Sequence, residues 1–209
     1  PIYSIEILHQ KYTNVLEKAQ ANDKDTPFFV EAIAFSANTA VLMEGNLVDK
    51  SNAISSQINR IGWWFKPWFF EHVRTMLQLP DATNGAERSY VEYIPIRDYL
   101  MRHDRSMCMT MATVIPYGNS CLFRYLLGWL LPPQMSFLKS SHTKETREAS
   151  VRKQCYQDVA FPSEKLPQAL ELSNKLFEIY PLLVYPCMVR TNNDDGSSGM
   201  LKVAPNPCG

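Results

Sequence analysis

Apolar residues recur at helical spacing near the start of the chain. They fall at Ile5, Leu8, Tyr12, Val15, Leu16 and Ala19, and the opposite face is polar. The spacing predicts an amphipathic helix over residues 5–21. A polar break at 23–27 ends it. Two apolar, β-leaning runs follow, 28–35 and 40–48, on either side of the turn-like Ser36-Ala37-Asn38-Thr39. They predict an antiparallel hairpin. The scarcity of charge in both runs predicts burial on at least one face.

Beyond a polar stretch at 49–56, Pro67 is well placed to open a helix over 67–79. Residues 80–87 read as a loop by composition. The run 90–96 reads as extended, since Pro95 restricts its predecessor. A helix is predicted over 97–113 and a turn at 116–119. The apolar run 122–131 is stopped by Pro132-Pro133. A polar helix is expected at 143–153, a strand at 157–161, an amphipathic helix at 166–180 and a last strand at 182–189. Residues 192–199 read as a flexible polar loop. Hairpin-like neighbours outnumber βαβ units and no internal repeat is visible. The fold class is therefore α+β, an antiparallel sheet flanked by helices.

Composition narrows the function classes. The chain has 209 residues, enough for one sizeable core or two small ones. Lys+Arg and Asp+Glu both number 21, so nothing supports a nucleic-acid binder, which would show a basic excess. The cysteines, Cys108, Cys121, Cys155, Cys187 and Cys208, are odd in number and form no CxxC pair. They read as free thiols rather than as a disulfide framework or a zinc site. No GxGxxG, P-loop, nucleophile elbow or HExxH is present. Any nucleotide cofactor is therefore expected to be held mostly by residues outside this chain, or by an atypical site. No charged-then-apolar leader occupies the first residues, and the last ones read as an interrupted loop. Both ends predict a fragment.

Three segments carry candidate chemistry. In Ile61-Gly62-Trp63-Trp64-Phe65-Lys66-Pro67-Trp68-Phe69-Phe70, Trp63, Trp64 and Trp68 fall within six residues. They could stack on a planar ring, line an apolar tunnel, or fill a core or domain interface. Lys66 could snorkel to the surface or contact an anion. In the second segment, a helix would put Tyr99, Arg102 and His103 on one face. Tyr99 and His103 could move a proton, while Arg102 and Arg105 could hold an anionic group. The alternative is a solvated helix face with an Asp98–Arg102 pair. Leu100, Met101, Met107, Cys108 and Met111 would form the opposite, core face, with Asp104 as an anomaly in it. Third, residues 123–131 are too short to span a bilayer, which takes roughly 20 residues. They suit an interfacial helix or a buried helix with Arg124 paired. His9, His72 and His142 are isolated, and each reads as a surface or core histidine.

Several stretches, in order, carry a family resemblance. They are Phe29-Val30-Glu31, Ile61-Gly62-Trp63-Trp64-Phe65-Lys66-Pro67-Trp68-Phe69, Glu92-Tyr93-Ile94-Pro95-Ile96-Arg97, Arg102-His103 with Arg105-Ser106, Ile115-Pro116-Tyr117-Gly118-Asn119, and Phe123-Arg124-Tyr125-Leu126-Leu127-Gly128-Trp129. Gln157-Asp158 and Tyr180-Pro181 continue them. Over residues 28–190 the chain resembles the delta(24)-sterol reductases, the Diminuto family of plants. The family usually reads Tyr-Tyr-His-Arg-His-Thr-Arg-Ser where this chain has Tyr99 to Ser106. Met101 stands at the first His, and Met109-Thr110 stands where a Trp-Glu pair is usual.

The resemblance implies a vanillyl-alcohol-oxidase-type flavoprotein, of which residues 1–209 would be part of the C-terminal substrate or cap domain. It implies an N-terminal FAD domain and an anchor in the endoplasmic reticulum membrane, neither within this chain. The implied reaction is reduction of a sterol side-chain alkene, with NADPH reducing FAD and FAD passing hydride to the sterol. Within it, Tyr99 and His103 would be catalytic, Arg102, Arg105 and Lys66 would bind cofactor, and Trp63, Trp64 and Trp68 would bind substrate. The alternatives are a non-catalytic interaction module on the same cap fold, or a flavoprotein with another substrate.

Overall fold

The computed structural model describes residues 5–21, 24–78, 89–106, 109–131, 143–145, 148, 158–187, 197–198 and 201–202. The first helix, α1, spans Ile5–Gln20. The hairpin follows as β1, Phe29–Ser36, and β2, Thr39–Gly45. Then come α2 at Phe69–Thr75, α3 at Ile96–Leu100, α4 at Thr110–Val114, α5 at Cys121–Leu127 and α6 at Leu166–Leu176. Strand β3, Leu182–Val184, closes the main sheet.

The sheet has three strands in the order β2-β1-β3, all antiparallel. Ile33 sits at the centre, opposite Val41 on one side and Leu183 on the other. Side chains alternate across a strand, so β1 feeds two different cores. Ala32 and Ala34 face α1 and α6, where Leu8, Tyr12, Leu166 and Leu170 pack. Small alanines on that face let the two helices lie close. Ile33 faces the other way, into a core with Val41, Trp68, Phe69, Phe70 and Met111. The sheet is thus covered on both sides, where its sparse charge predicts burial on at least one. The first helix, the hairpin and the α+β class stand as read from the sequence.

Other expectations are corrected. No strand forms at 90–96; a single bridge pairs Ile58 with Tyr93. The described residues 158–161 are not a strand either. The helix expected over 166–180 stops at Leu176, and β3 has only three residues. The helix expected over 97–113 is broken into α3, a turn, a 3-10 turn at Asp104–Ser106, and α4. Met109 has φ of 75° just before α4, a left-handed conformation that no continuous helix tolerates. Asp104, anomalous on the expected apolar face, falls at this interruption. Leu100 and Met101, expected in the core, are exposed, while Met111 is buried. Helical periodicity does not extend across the break, so one face does not stay one face. Residues 49–56 hold two short 3-10 turns, Lys50–Asn52 and Ser55–Gln57. Of the polar helix at 143–153, the described Lys144, Glu145 and Glu148 are helical. Ser197–Ser198 pairs with Leu201–Lys202 where a loop was expected at 192–199. Met107, Cys108, His142 and residues 132–142 lie outside the described residues.

Candidate functional site

Glu31 follows the same alternation as Ile33 and points into the sheet face that packs on α2. It is 2% exposed. A carboxylate in such a place needs partners, because desolvating an unpaired charge costs several kcal/mol. Two come from the turn after α3. Arg102 donates through Nε to Glu31 Oε2 at 2.8 Å and through Nη2 to the same oxygen. His103 Nε2 lies 2.7 Å from Glu31 Oε1. Burial pushes the Glu31 carboxyl up; the hydrogen bond and charge of His103, with the charge and hydrogen bond of Arg102, outweigh it and hold the pKa below the ordinary value.

The surroundings fix both partners. Arg102 Nη1 donates to the Tyr99 carbonyl at 2.9 Å, and its guanidinium lies 4.1 Å from the Tyr99 ring centroid. The Phe69 ring meets the His103 ring edge-on at 5.5 Å. Burial raises the Tyr99 pKa, with Arg102 opposing and Glu31 adding to the rise. Tyr99, Arg102 and His103 do converge, as expected, but not as one helical face. Helix α3 ends at Leu100, and the turn beyond it swings His103 towards β1. Arg102 goes to Glu31 rather than to Asp98, which instead accepts from the Gly62 amide at 3.3 Å. In the sequence Glu31 stands out only as part of the Phe29-Val30-Glu31 motif. A charged residue within an otherwise apolar strand was the signal that it had a partner.

Arg105 serves a different structure. It is 6% exposed, and burial, reinforced by the Arg124 guanidinium, lowers its pKa to about 10. Its Nη2 donates to the carbonyls of Trp64 and Lys66, both at 2.7 Å, and Nη1 to those of Ile61 at 3.0 Å and Pro67 at 3.4 Å. It therefore holds the whole Trp63–Trp64 turn by its backbone. Arg124 adds a bond to the Phe65 carbonyl at 2.7 Å. The Trp68 amide donates to Asn119 Oδ1 at 2.9 Å. The three motif segments are thus one interlocked body.

That body sorts the tryptophans. Trp68 is 1% exposed and packs with Phe70 in the core, whereas Trp63 and Trp64 are 48% and 41% exposed. Trp64 meets Tyr125 of α5 edge-on. Arg124 is the paired arginine of the third segment, yet Leu122, Tyr125, Leu126 and Trp129 beside it are exposed rather than buried. Lys66 borders an open cleft of about 350 Å³ with Asn59, Ile61, Pro67 and His72. There His72 Nε2 meets Glu92 at 2.9 Å and Asn59 Nδ2 donates to Glu92 at 2.9 Å, so His72 is not isolated.

No group of side chains among the described residues has the composition to hold a metal ion. Within this chain Arg105 is directed at four carbonyls and Arg102 at Glu31. No helix among the described residues is long and apolar enough to cross a membrane.

The geometry defines an α+β unit with a buried carboxylate shared by an imidazole and a guanidinium. Over most of its length the chain is similar to one kind of known protein. The chain is 34% identical to the delta(24)-sterol reductase of Arabidopsis thaliana over 87% of its own length and 31% of that protein's. It is 37% identical to the Pisum sativum delta(24)-sterol reductase over 80% of the chain and 28% of the relative. For the Homo sapiens delta(24)-sterol reductase the figures are 34%, 89% and 33%. The chain spans about a third of the length of the curated relatives it matches. No family model and no solved structure matches it.

Proposed function

We propose that this chain is a substrate-side segment of a delta(24)-sterol reductase and acts within an enzyme that saturates the sterol side chain. The observation that carries the reading is similarity to reductases from plants, a nematode and mammals across most of the chain. The motif residues in it build one buried acid–base group rather than scattered surface contacts. The segment belongs, in this reading, to a cap domain of the vanillyl-alcohol-oxidase type. FAD and NADPH would be held by other parts of the polypeptide, at the endoplasmic reticulum membrane.

An isolated alkene is a poor proton acceptor, so positioning a proton donor beside it lowers the barrier. His103 is the candidate donor, set against Glu31 and screened by Phe69. Tyr99 is a weaker candidate, because its raised pKa keeps its proton on. Trp63 and Trp64 are exposed and available to an apolar ligand; buried Trp68 shapes the turn beneath them. Arg105 acts through that turn, and Lys66 is free to meet an anion at the mouth of the cleft.

The test is sterol profiling of cells that lack delta(24)-reductase, supplied with the full polypeptide that contains this chain. Loss of side-chain-unsaturated sterols and a rise in saturated ones support the reading. An unchanged profile with the protein expressed and flavin-loaded refutes it.

A further inference from the structure

Glu31 divides its two oxygens between different donors. Oε2 takes the Arg102 fork, and Oε1 takes His103 Nε2. An ionised carboxylate only accepts hydrogen bonds. The His103 nitrogen that faces it therefore carries hydrogen, which leaves Nδ1 as the atom whose proton can come or go. Nδ1 is buried and has no hydrogen-bond partner among the described residues. A buried polar atom left in this way is destabilising until a partner reaches it. The ring cannot turn to relieve it without breaking the 2.7 Å bond to Glu31 and the edge-on contact with Phe69. The groups that bear on this pair are Arg102 and Tyr99 from α3 and its end, and Tyr12 from α1 across the sheet. Helix α2 contributes the neutral Phe69.

We propose that Glu31 is the positioning residue of this site: it fixes His103 as the Nε2–H tautomer and reserves Nδ1 for proton exchange with a bound ligand. The identity of that ligand rests on the sterol-reductase reading; the tautomer does not. In the reduction, His103 protonated on both nitrogens gives up the proton on Nδ1. The Nδ1–H bond breaks, a C–H bond forms at one alkene carbon, and the ring is left neutral with Nε2–H still on Glu31. The balancing hydride, with its electron pair, would come to the other alkene carbon from a reduced flavin held by other parts of the polypeptide.

Arg102 makes the assignment testable. It presents two N–H groups to Oε2, so in Glu31→Gln the carboxamide oxygen should stay with Arg102 and the NH2 should face His103. Nε2 must then accept, and the proton moves to Nδ1. Histidine-selective 15N–1H correlation spectra of the full polypeptide, in mildly alkaline solution, read this directly. The expected result is Nε2–H in the wild type and in Glu31→Asp, and Nδ1–H in Glu31→Gln. Sterol turnover should fall about 100-fold in kcat with little change in KM for Glu31→Gln, with partial recovery in Glu31→Asp. An Nδ1–H wild type, or an unmoved tautomer in Glu31→Gln, overturns the proposal whatever the reaction is. If Glu31→Gln does not fold, Glu31→Asp decides alone: Nε2–H supports positioning and Nδ1–H overturns it. The expected tautomers in a wild type without sterol turnover would sink the reductase reading and leave the positioning role standing.

Discussion

Glu31 brings a negative charge into a sheet face otherwise built from Ile33, Val41 and aromatic rings, and it stays there because two cationic or potentially cationic side chains reach it. Removing it strands both. Glu31→Ala is expected to destabilise the fold by about 3–5 kcal/mol in urea unfolding, the usual cost of breaking a buried pair from one side. Its pKa, held below 4.5, sets the pH dependence. A depressed folded-state pKa contributes stability that is complete above the unfolded value and is lost as pH falls through the folded value. The wild type should therefore lose stability below about pH 4.5, and Glu31→Gln should lack that part of the slope; parallel curves in stepwise urea titrations would contradict it. Arg105 makes a different prediction. Arg105→Lys keeps a charge but cannot span four carbonyls with one ammonium. It should cost about 2–3 kcal/mol and alter the fluorescence of Trp63 and Trp64, whose turn it holds.

At the scale of elements, the body formed by the Trp63–Phe70 segment, the turn at 115–119 and α5 closes through glycines at two crossings. A Cβ on Gly118 would lie 2.7 Å from the Trp68 ring and 3.0 Å from the Ile115 carbonyl oxygen. A Cβ on Gly128 would lie 2.8 Å from the Trp64 carbonyl oxygen. Gly118→Ala is expected to destabilise by about 1–3 kcal/mol, as overpacking does, with the melting temperature as the check. The sequence made α1 and the hairpin legible because their periodicity is unbroken and their ends are marked by polar breaks. It misplaced Leu100 and Met101 because α3 ends where Arg102 and His103 turn to Glu31 and Arg105 turns to the Ile61–Pro67 carbonyls. Those partners lie 38 to 72 residues away in sequence and meet only through folding, as with Glu31 and Arg102, which are 71 apart. Local spacing carries no trace of such a pairing. The residue types were informative even so: Tyr99, Arg102 and His103 do meet, and of the three tryptophans, left open between ligand contact and core, Trp63 and Trp64 are exposed. Trp68 differs because its neighbours Phe69 and Phe70 open α2 against the sheet and draw it inward.

For the whole molecule, a two-sided sheet gives the site its rigidity. Helices α1 and α6 cover one face of β1, so Glu31 on the other face rests on a strand with little freedom to move. The chain corresponds to about a third of the reductases it resembles, and within that third the Glu31–Arg102–His103 group and the exposed aromatic turn are separate features. As proposed above, His103, held by Glu31, carries the proton in sterol reduction. The most direct measurement is the sterol profile of reductase-deficient cells complemented with the full polypeptide, as wild type and as His103→Ala at matched expression and flavin content. The account expects saturated side chains to return with the wild type and to stay near background with His103→Ala. Equal restoration by both would contradict it.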